Sequence, residues 1–261
     1  MWAMTTTLKA LEALLGYALL VVAALYVLNQ VRKPTKWVGR FFLWIVNASH
    51  SNVTDWGLRH VRIEKDATVL DVGCCGGRTI QKLAAIATEG MVYDLDYANG
   101  SVAASRAKNA KLMQMGRVEI EQASASQLPF LENKFSLVTA VETQYYWPEL
   151  LKNMREILRV LRPSGTLIII AESYKNGAYD KLQRPVMKPL RSANLGVDEQ
   201  RALFSTAGYT DIQIFEERSK GWICVIGKKP VIVSYPTGGP SRKKIACSLT
   251  RPPLDLRTDS R

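Results

Sequence analysis

Thr68-Val69-Leu70-Asp71-Val72-Gly73-Cys74-Cys75-Gly76-Gly77-Arg78-Thr79 decides the fold. The apolar positions Val69, Leu70 and Val72 read as a buried strand. Glycines crowd the turn behind it, and Leu83 and Ile86 continue at helical spacing. A strand, a tight turn and a helix N-terminus bring backbone N–H groups close to a nucleotide-like ligand. The dinucleotide fingerprint G-x-G-x-x-G is missing. An acid, Asp71, closes the strand and glycines follow at 73, 76 and 77, which argues against a nicotinamide oxidoreductase.

At 261 residues and 47% hydrophobic content, the chain can bury one α/β core with appendages. Four cysteines, two of them adjacent, make no disulfide framework and suit a reducing compartment. No Cys/His spacing matches a zinc site, so no metal is expected. The formal charge of +12 is concentrated at the flanks: residues 30–40 carry +4, and 228–261 carry eight Lys/Arg against two Asp. The body between is close to neutral, which disfavours a nucleic-acid-binding face.

Ala13 to Leu28 contains no charge, and Asn29, Gln30 and Val31 extend it before four cations at Arg32, Lys33, Lys36 and Arg40. A helix of about nineteen residues at ~1.5 Å per residue just spans a bilayer core. The expectation is a single-pass N-terminal anchor in residues 1–36, with the following domain cytoplasmic by the positive-inside rule. A cleaved signal peptide would need a basic start and a small-residue cleavage site, and neither is clear. Residues 37–60 follow as an interfacial or lid segment. They run from the aromatic stretch Trp37–Val46 into a polar run containing His50 and Trp56, with a capped helix start at Thr54 or Asp55 as the plainer reading.

Beyond the glycine turn, Gly90–Tyr97 reads as a second strand ending at Asp96, whose carboxylate suits the ribose hydroxyls of a nucleoside. Tyr97 next to it could cover a base. Asp94, two residues earlier, projects to the same side and repels Asp96. A helix over Ser101–Met115 is followed by strands at Val118–Gln122 and Phe135–Val141, with Ser124-Ala125 and Leu128-Pro129-Phe130 between them. Glu142-Thr143-Gln144-Tyr145-Tyr146-Trp147 leaves the fourth strand at the carboxyl edge where open α/β sheets bind ligands. A helix from Pro148 to Leu161, the turn Arg162-Pro163-Ser164-Gly165 and the apolar strand Thr166–Ala171 come next. Residues 174–197 lack periodicity. Asp198 then starts a helix ending at Gly208, and Thr210–Phe215 and Trp222–Ile226 form a closing hairpin. The Gly/Pro-rich basic stretch 229–261 reads as a disordered tail.

These landmarks resemble class I S-adenosylmethionine (SAM)-dependent methyltransferases of the type-11, ubiquinone/menaquinone-biosynthesis group. The likeness rests on the glycine turn, Asp96, Leu128-Pro129-Phe130, Phe135-Ser136-Leu137-Val138 and Leu161-Arg162-Pro163-Ser164-Gly165, and covers about residues 47–228. It implies an α/β, Rossmann-like sheet of seven strands with the last antiparallel, in a methyltransferase domain at 61–228 with 174–197 as a possible substrate cap. The implied cofactor is SAM, held by Asp71, Gly73, Cys74, Cys75, Gly76, Gly77, Asp96, Tyr97, Ser124, Ala125 and Glu142. The acceptor, a small and lipophilic molecule, would meet Trp56, Tyr145, Tyr146 and Trp147. Glu142, His50, Tyr145 and Tyr146 are the candidates for acid–base work. Cys75, Ser124, Ser136 and Ser164 depart from the family pattern, and Asp94 stands where glycine is common. The alternative is a weak or non-catalytic SAM-fold protein acting as a binding module.

Overall fold

The computed structural model describes residues 14–27, 30, 39, 50–178, 180–181 and 193–231. The chain divides into one compact unit, Met1–Pro230, and a second, Val231–Arg261. Most of the expected lid segment 37–60 before His50, the middle of the expected cap 174–197 and nearly all of the tail from 229 lie outside the described residues.

The sheet grows from the stretch that opens the chain's core. β1 (Thr68–Val72) lies between β2 (Met91–Asp96) and β4 (Phe135–Val141), parallel to both. With β3 (Val118–Gln122), β5 (Leu161–Ala171), β6 (Thr210–Glu217) and β7 (Trp222–Lys228), the order is β3-β2-β1-β4-β5-β7-β6. β7 runs antiparallel to both β5 and β6, as the expected topology requires.

Alternation along the strands sorts the core into two halves. Leu70, Val72 and Leu95 face α5 (Leu150–Val160) and α6 (Val197–Ala207), whose Met154, Ile157 and Phe204 are fully buried. Val69 and Val92 face α1 (Ser51–Leu58), α2 (Arg78–Ile86) and α3 (Asn99–Lys108), which contribute Val53, Ile80, Leu83 and Val102. Each fully buried Leu or Ile contributes about 1.5–3 kcal/mol relative to exposure. The sheet is therefore covered on both faces, and ligands can reach it only at its edges.

Several boundaries differ from the sequence reading. The helix expected over 101–115 breaks at Asn109, where α3 gives way to α4 (Ala110–Gln114). The Asn109 amide donates to Gly77 O and Ser105 O, using the side chain to tie the helix to the glycine turn. β5 begins at Leu161 rather than Thr166. Arg162–Gly165 is looped out of an otherwise continuous pairing with β4, where Phe135 opposes Leu161 and Leu137 opposes Thr166. Ser164 in that loop has φ +63°. α1 starts at Ser51 with His50 at its N-cap position, earlier than a start at Thr54 or Asp55.

Residues 14–27 are helical, and their large apolar side chains are exposed, Leu20 to 70%. No helix among the described residues is long and apolar enough to cross a membrane, so the expected transmembrane span is not found among them. Ala13, Leu28, Asn29 and Val31 of the expected span lie outside the described residues.

Candidate active site

The glycine turn crosses left-handed backbone three times within five residues: Gly73 at φ +100°, Cys75 at φ +46° and Gly77 at φ +76°. Glycine suits the first and last positions for reasons of space as well as conformation. A Cβ on Gly73 would collide with Thr143, whose hydroxyl donates to Val72 O at 2.6 Å, and one on Gly77 would meet Asn109 Nδ2 at 2.5 Å. Cys75 accepts the same backbone sign with a side chain attached, at a cost of about 1–2 kcal/mol for an L-residue. The turn is pinned by Gly73 N–H donating to Leu95 O at 2.7 Å and Gly77 N–H to Cys74 O at 2.8 Å. Gly77 is the N-cap of α2.

Three carboxyls lie beneath the turn. Asp71 pairs in register with Asp94 across β1 and β2, and Asp96 ends β2; all three are buried. Burial pushes the Asp71 carboxyl up to about 7, against a hydrogen bond from Thr139, with Asp96 raising it further. Burial also raises Asp94 well above the carboxylate range, and neighbouring Asp71 adds to the rise. Asp94 receives the Ser105 hydroxyl at 3.3 Å on one oxygen, while the other has no hydrogen-bond partner among the described residues. Asp96 is raised by burial and held back by backbone N–H groups of Ala98, at 2.8 Å, and Cys75. The repulsion expected between Asp94 and Asp96 is thus present, and Asp71 joins it. Cys74 is buried against this group, its Sγ 3.9 Å from Asp96 Oδ2.

The other proposed cofactor contacts spread along the same edge. Tyr97 is 40% exposed beside Asp96. Ser124 is exposed, its hydroxyl accepting the Ser126 N–H at 3.2 Å, and Ala125 is buried beneath it. A cavity above the turn is lined by His50, Ser51, Thr54, Gly73, Cys74, Cys75, Arg78, Thr79 and Val141. The start of α1 therefore forms one wall of that cavity.

A second polar group sits where β4 and β5 end side by side. Glu142 follows β4 at φ +60°, its N–H donating to Ile170 O at 3.0 Å. Its carboxylate accepts the backbone N–H of Glu172, the residue after β5. His50 Nε2 lies 3.4 Å from Glu172 Oε2. One ligand atom from each of His50, Glu142 and Glu172 falls within 4.8 Å of the others. Burial pushes Glu142 up to about 8, with Glu172 raising it further; burial lifts Glu172 to about 7 and lowers His50 to about 4.

Two of the acid–base candidates, His50 and Glu142, thus come within 4.8 Å of each other, whereas a third, Tyr145, has its hydroxyl bonded to the Ser173 backbone. Tyr145 is a core residue, its hydroxyl donating to Ser173 O at 2.8 Å and accepting from Ser173 N at 3.2 Å. Tyr146 meets it edge-on at 6.2 Å, and Trp147 packs partly buried against the same core half. Trp56 turns its ring to His60 and Trp222, at 4.9 and 5.9 Å, as part of an aromatic cover over β6 and β7. Glu172 escaped the sequence reading. The signal for it was available, because it follows an apolar strand just as Glu142 does. The Cys/His spacing rule that gave no metal site does not register this His–Glu–Glu group either.

A seven-stranded sheet with a single reversed strand, a left-handed glycine turn after β1 and an acid at the end of β2 define the class I methyltransferase architecture. Residues 70–169 match the methyltransferase-domain family model of type 11. Demethylmenaquinone methyltransferase of Listeria welshimeri is 34% identical over 121 residues, 46% of this chain and 50% of the relative. The Bacillus pumilus enzyme of the same name is 27% identical over 187 residues, 62% of this chain and 79% of its own. The chain spans about half the length of the first of these curated relatives. Among solved structures, the complex between the Haloferax volcanii Trm112 methyltransferase activator and the putative methyltransferase superposes with TM-score 0.65 at 18% identity, covering 75% of this chain and 96% of that one. Haemonchus contortus phosphoethanolamine N-methyltransferase 2, solved with phosphomonomethylethanolamine and S-adenosylhomocysteine, superposes at 0.59 with 14% identity, over 69% and 53%. These structural likenesses establish the fold.

Proposed function

We propose that the chain is a SAM-dependent methyltransferase acting on a small, lipophilic acceptor. The observation that carries this is the pairing, on one sheet edge, of the left-handed turn at 73–77 with the polar group at the ends of β4 and β5. The residues fit a methyl donor. A cavity opens over Gly73, Cys74 and Cys75, and the turn N–H groups, Asp96 and Tyr97 follow one another along the edge as a methionine, a ribose and a base would require. SAM, when bound, supplies an electrophilic methyl on a sulfonium. The chain's part is then to hold the acceptor in line and exclude water, the effect that dominates when the acceptor is already nucleophilic. Glu142 and Tyr145 shape the acceptor side, with Tyr146 and Trp147 as its apolar wall. The relatives' name, demethylmenaquinone methyltransferase, supports a lipophilic acceptor.

Membrane attachment through residues 13–28 belongs to the same reading and is supported by the exposed apolar side chains of 14–27. Retention of the full chain in membranes after carbonate extraction is the expected result; recovery in the supernatant would remove this part alone.

The second reading is a fold that binds SAM weakly or not at all. It is favoured by the Cys75 side chain in the turn and by Asp96 already accepting two backbone N–H groups. Calorimetric titration with SAM and S-adenosylhomocysteine separates the two. Micromolar binding is expected, and no heat at millimolar ligand would leave only the second reading.

A further inference from the structure

We propose that His50, Glu142 and Glu172 form a binding site for one first-row divalent cation, Mn2+ or Zn2+. The three residues come from three separate places: the N-cap position of α1, the residue after β4 and the residue after β5. One ligand atom from each lies within 4.8 Å of the others, and His50 Nε2 is already 3.4 Å from Glu172 Oε2. Donors at about 2.0–2.2 Å from a common metal stand at most about 4.4 Å apart, so only a small closure is needed.

The surroundings orient the group. The Glu172 N–H bonds to the Glu142 carboxylate, which fixes its direction from outside. Neither glutamate has a lysine or arginine ion-pair partner among the described residues; His50 alone faces Glu172. Two half-buried carboxyl groups at adjacent strand ends therefore share a site with an imidazole, an arrangement that offers lone pairs and has no lysine or arginine among the described residues to occupy them. One imidazole and two carboxylates suit Mn2+ or Zn2+ better than Ca2+, which takes six to eight oxygens, or Mg2+, which keeps most of its water.

Three protein ligands leave positions open. His50 also lines the cavity above the glycine turn, so the cation would sit at the border of the methyl-donor site. If the methyl-transfer reading holds, an acceptor oxygen can fill an open position there, which narrows the acceptor class to molecules with a hydroxyl or enol oxygen.

The test uses the full chain stripped with a chelator and titrated calorimetrically with MnCl2 and with ZnCl2, beside a separate titration with S-adenosylhomocysteine. One cation per chain is expected, weakened at least about tenfold in both Glu172→Gln and His50→Ala. Nitrogen modulation in the Mn2+ electron spin echo should be present in the wild type and lost in His50→Ala. Should His50→Ala fail to fold, Glu172→Gln and the wild-type spectrum still decide. No binding at millimolar metal, or binding untouched by Glu172→Gln, overturns the site whatever the homocysteine ligand does. Metal binding without S-adenosylhomocysteine binding would leave the site standing and sink the methyl-transfer reading instead.

Discussion

Cys75 and Ser164 occupy backbone that favours glycine, at φ +46° and +63°. Both stand where the type-11 pattern has glycine, and in both the conformation was kept while the residue changed. Replacing either by glycine removes the left-handed cost of about 1–2 kcal/mol but loosens the unfolded chain by about 0.4–1 kcal/mol, so each should stabilise by roughly 0.5–1 kcal/mol. Urea unfolding reads this as a higher midpoint at constant slope. Cys75→Gly should in addition tighten S-adenosylhomocysteine, because it clears a side chain from the cavity wall, whereas Ser164→Gly should not. Equal effects of the two on ligand affinity would mean that crowding at position 75 is not what limits binding. Asp94 offers a third test, since one of its carboxylate oxygens is buried without a partner. Asp94→Asn should raise stability at neutral pH, and a fall would show that the Ser105 contact needs a charge.

At the level of the elements, the glycine that matters most outside the turn is Gly57 in α1. A Cβ there would meet Ile170 Cδ1 at 2.5 Å, and Cys224 Sγ already touches Gly57 O at 3.8 Å, so α1 lies flat on β5 and β7. Gly57→Ala should cost about 1–3 kcal/mol through overpacking. It should also lift the helix start that carries His50 and so weaken Mn2+ binding together with a lower melting temperature, whereas Glu142→Gln should weaken Mn2+ binding without lowering the melting temperature as far. Thermal melts and Mn2+ titration of the two variants check this.

The strands were the legible part of this layer, because the mainly apolar run Phe135–Val141 and the alternating Val118–Gln122 announce themselves without tertiary help. Helix ends were less so. The break at Asn109 depends on Gly77 O lying in reach of its amide, and nothing in residues 101–115 encodes that. The bulged start of β5 likewise follows from Ser164 N–H reaching Lys229 O at 3.0 Å. Of the site, the glycine turn and Asp96 could be read from local pattern, whereas Glu172 could not be matched to Glu142 without the register that sets Val141 opposite Ile170.

For the whole molecule, the buried carboxyls give stability a definite pH dependence. Asp71 sits near 7 when folded and Asp94 is raised as well, while an unfolded aspartate titrates near 3.9. Between about pH 4 and 7 the folded chain keeps carboxyl protons that the unfolded chain has released, so these groups make stability fall as pH rises. Glu142, pushed to about 8, carries the fall further, and His50, lowered to about 4, opposes it between about 4 and 6.5. Urea midpoints taken across that range, without ligand or divalent cation, should show the decline, and Asp71→Asn should flatten it. An unchanged slope in Asp71→Asn would mean that the protons are held elsewhere.

β7 carries a consequence for how the chain is made. It is the last strand among the described residues yet lies between β5 and β6, with Cys224 and Val225 fully enclosed. While a ribosome is still adding residues 222–228, the whole length of Leu167–Ala171 has one side of its backbone unpaired, ready to zip onto any neighbouring nascent chain. A chain stopped before Trp222 should accordingly be found in inclusion bodies, whereas one stopped after Pro230 should remain dispersed.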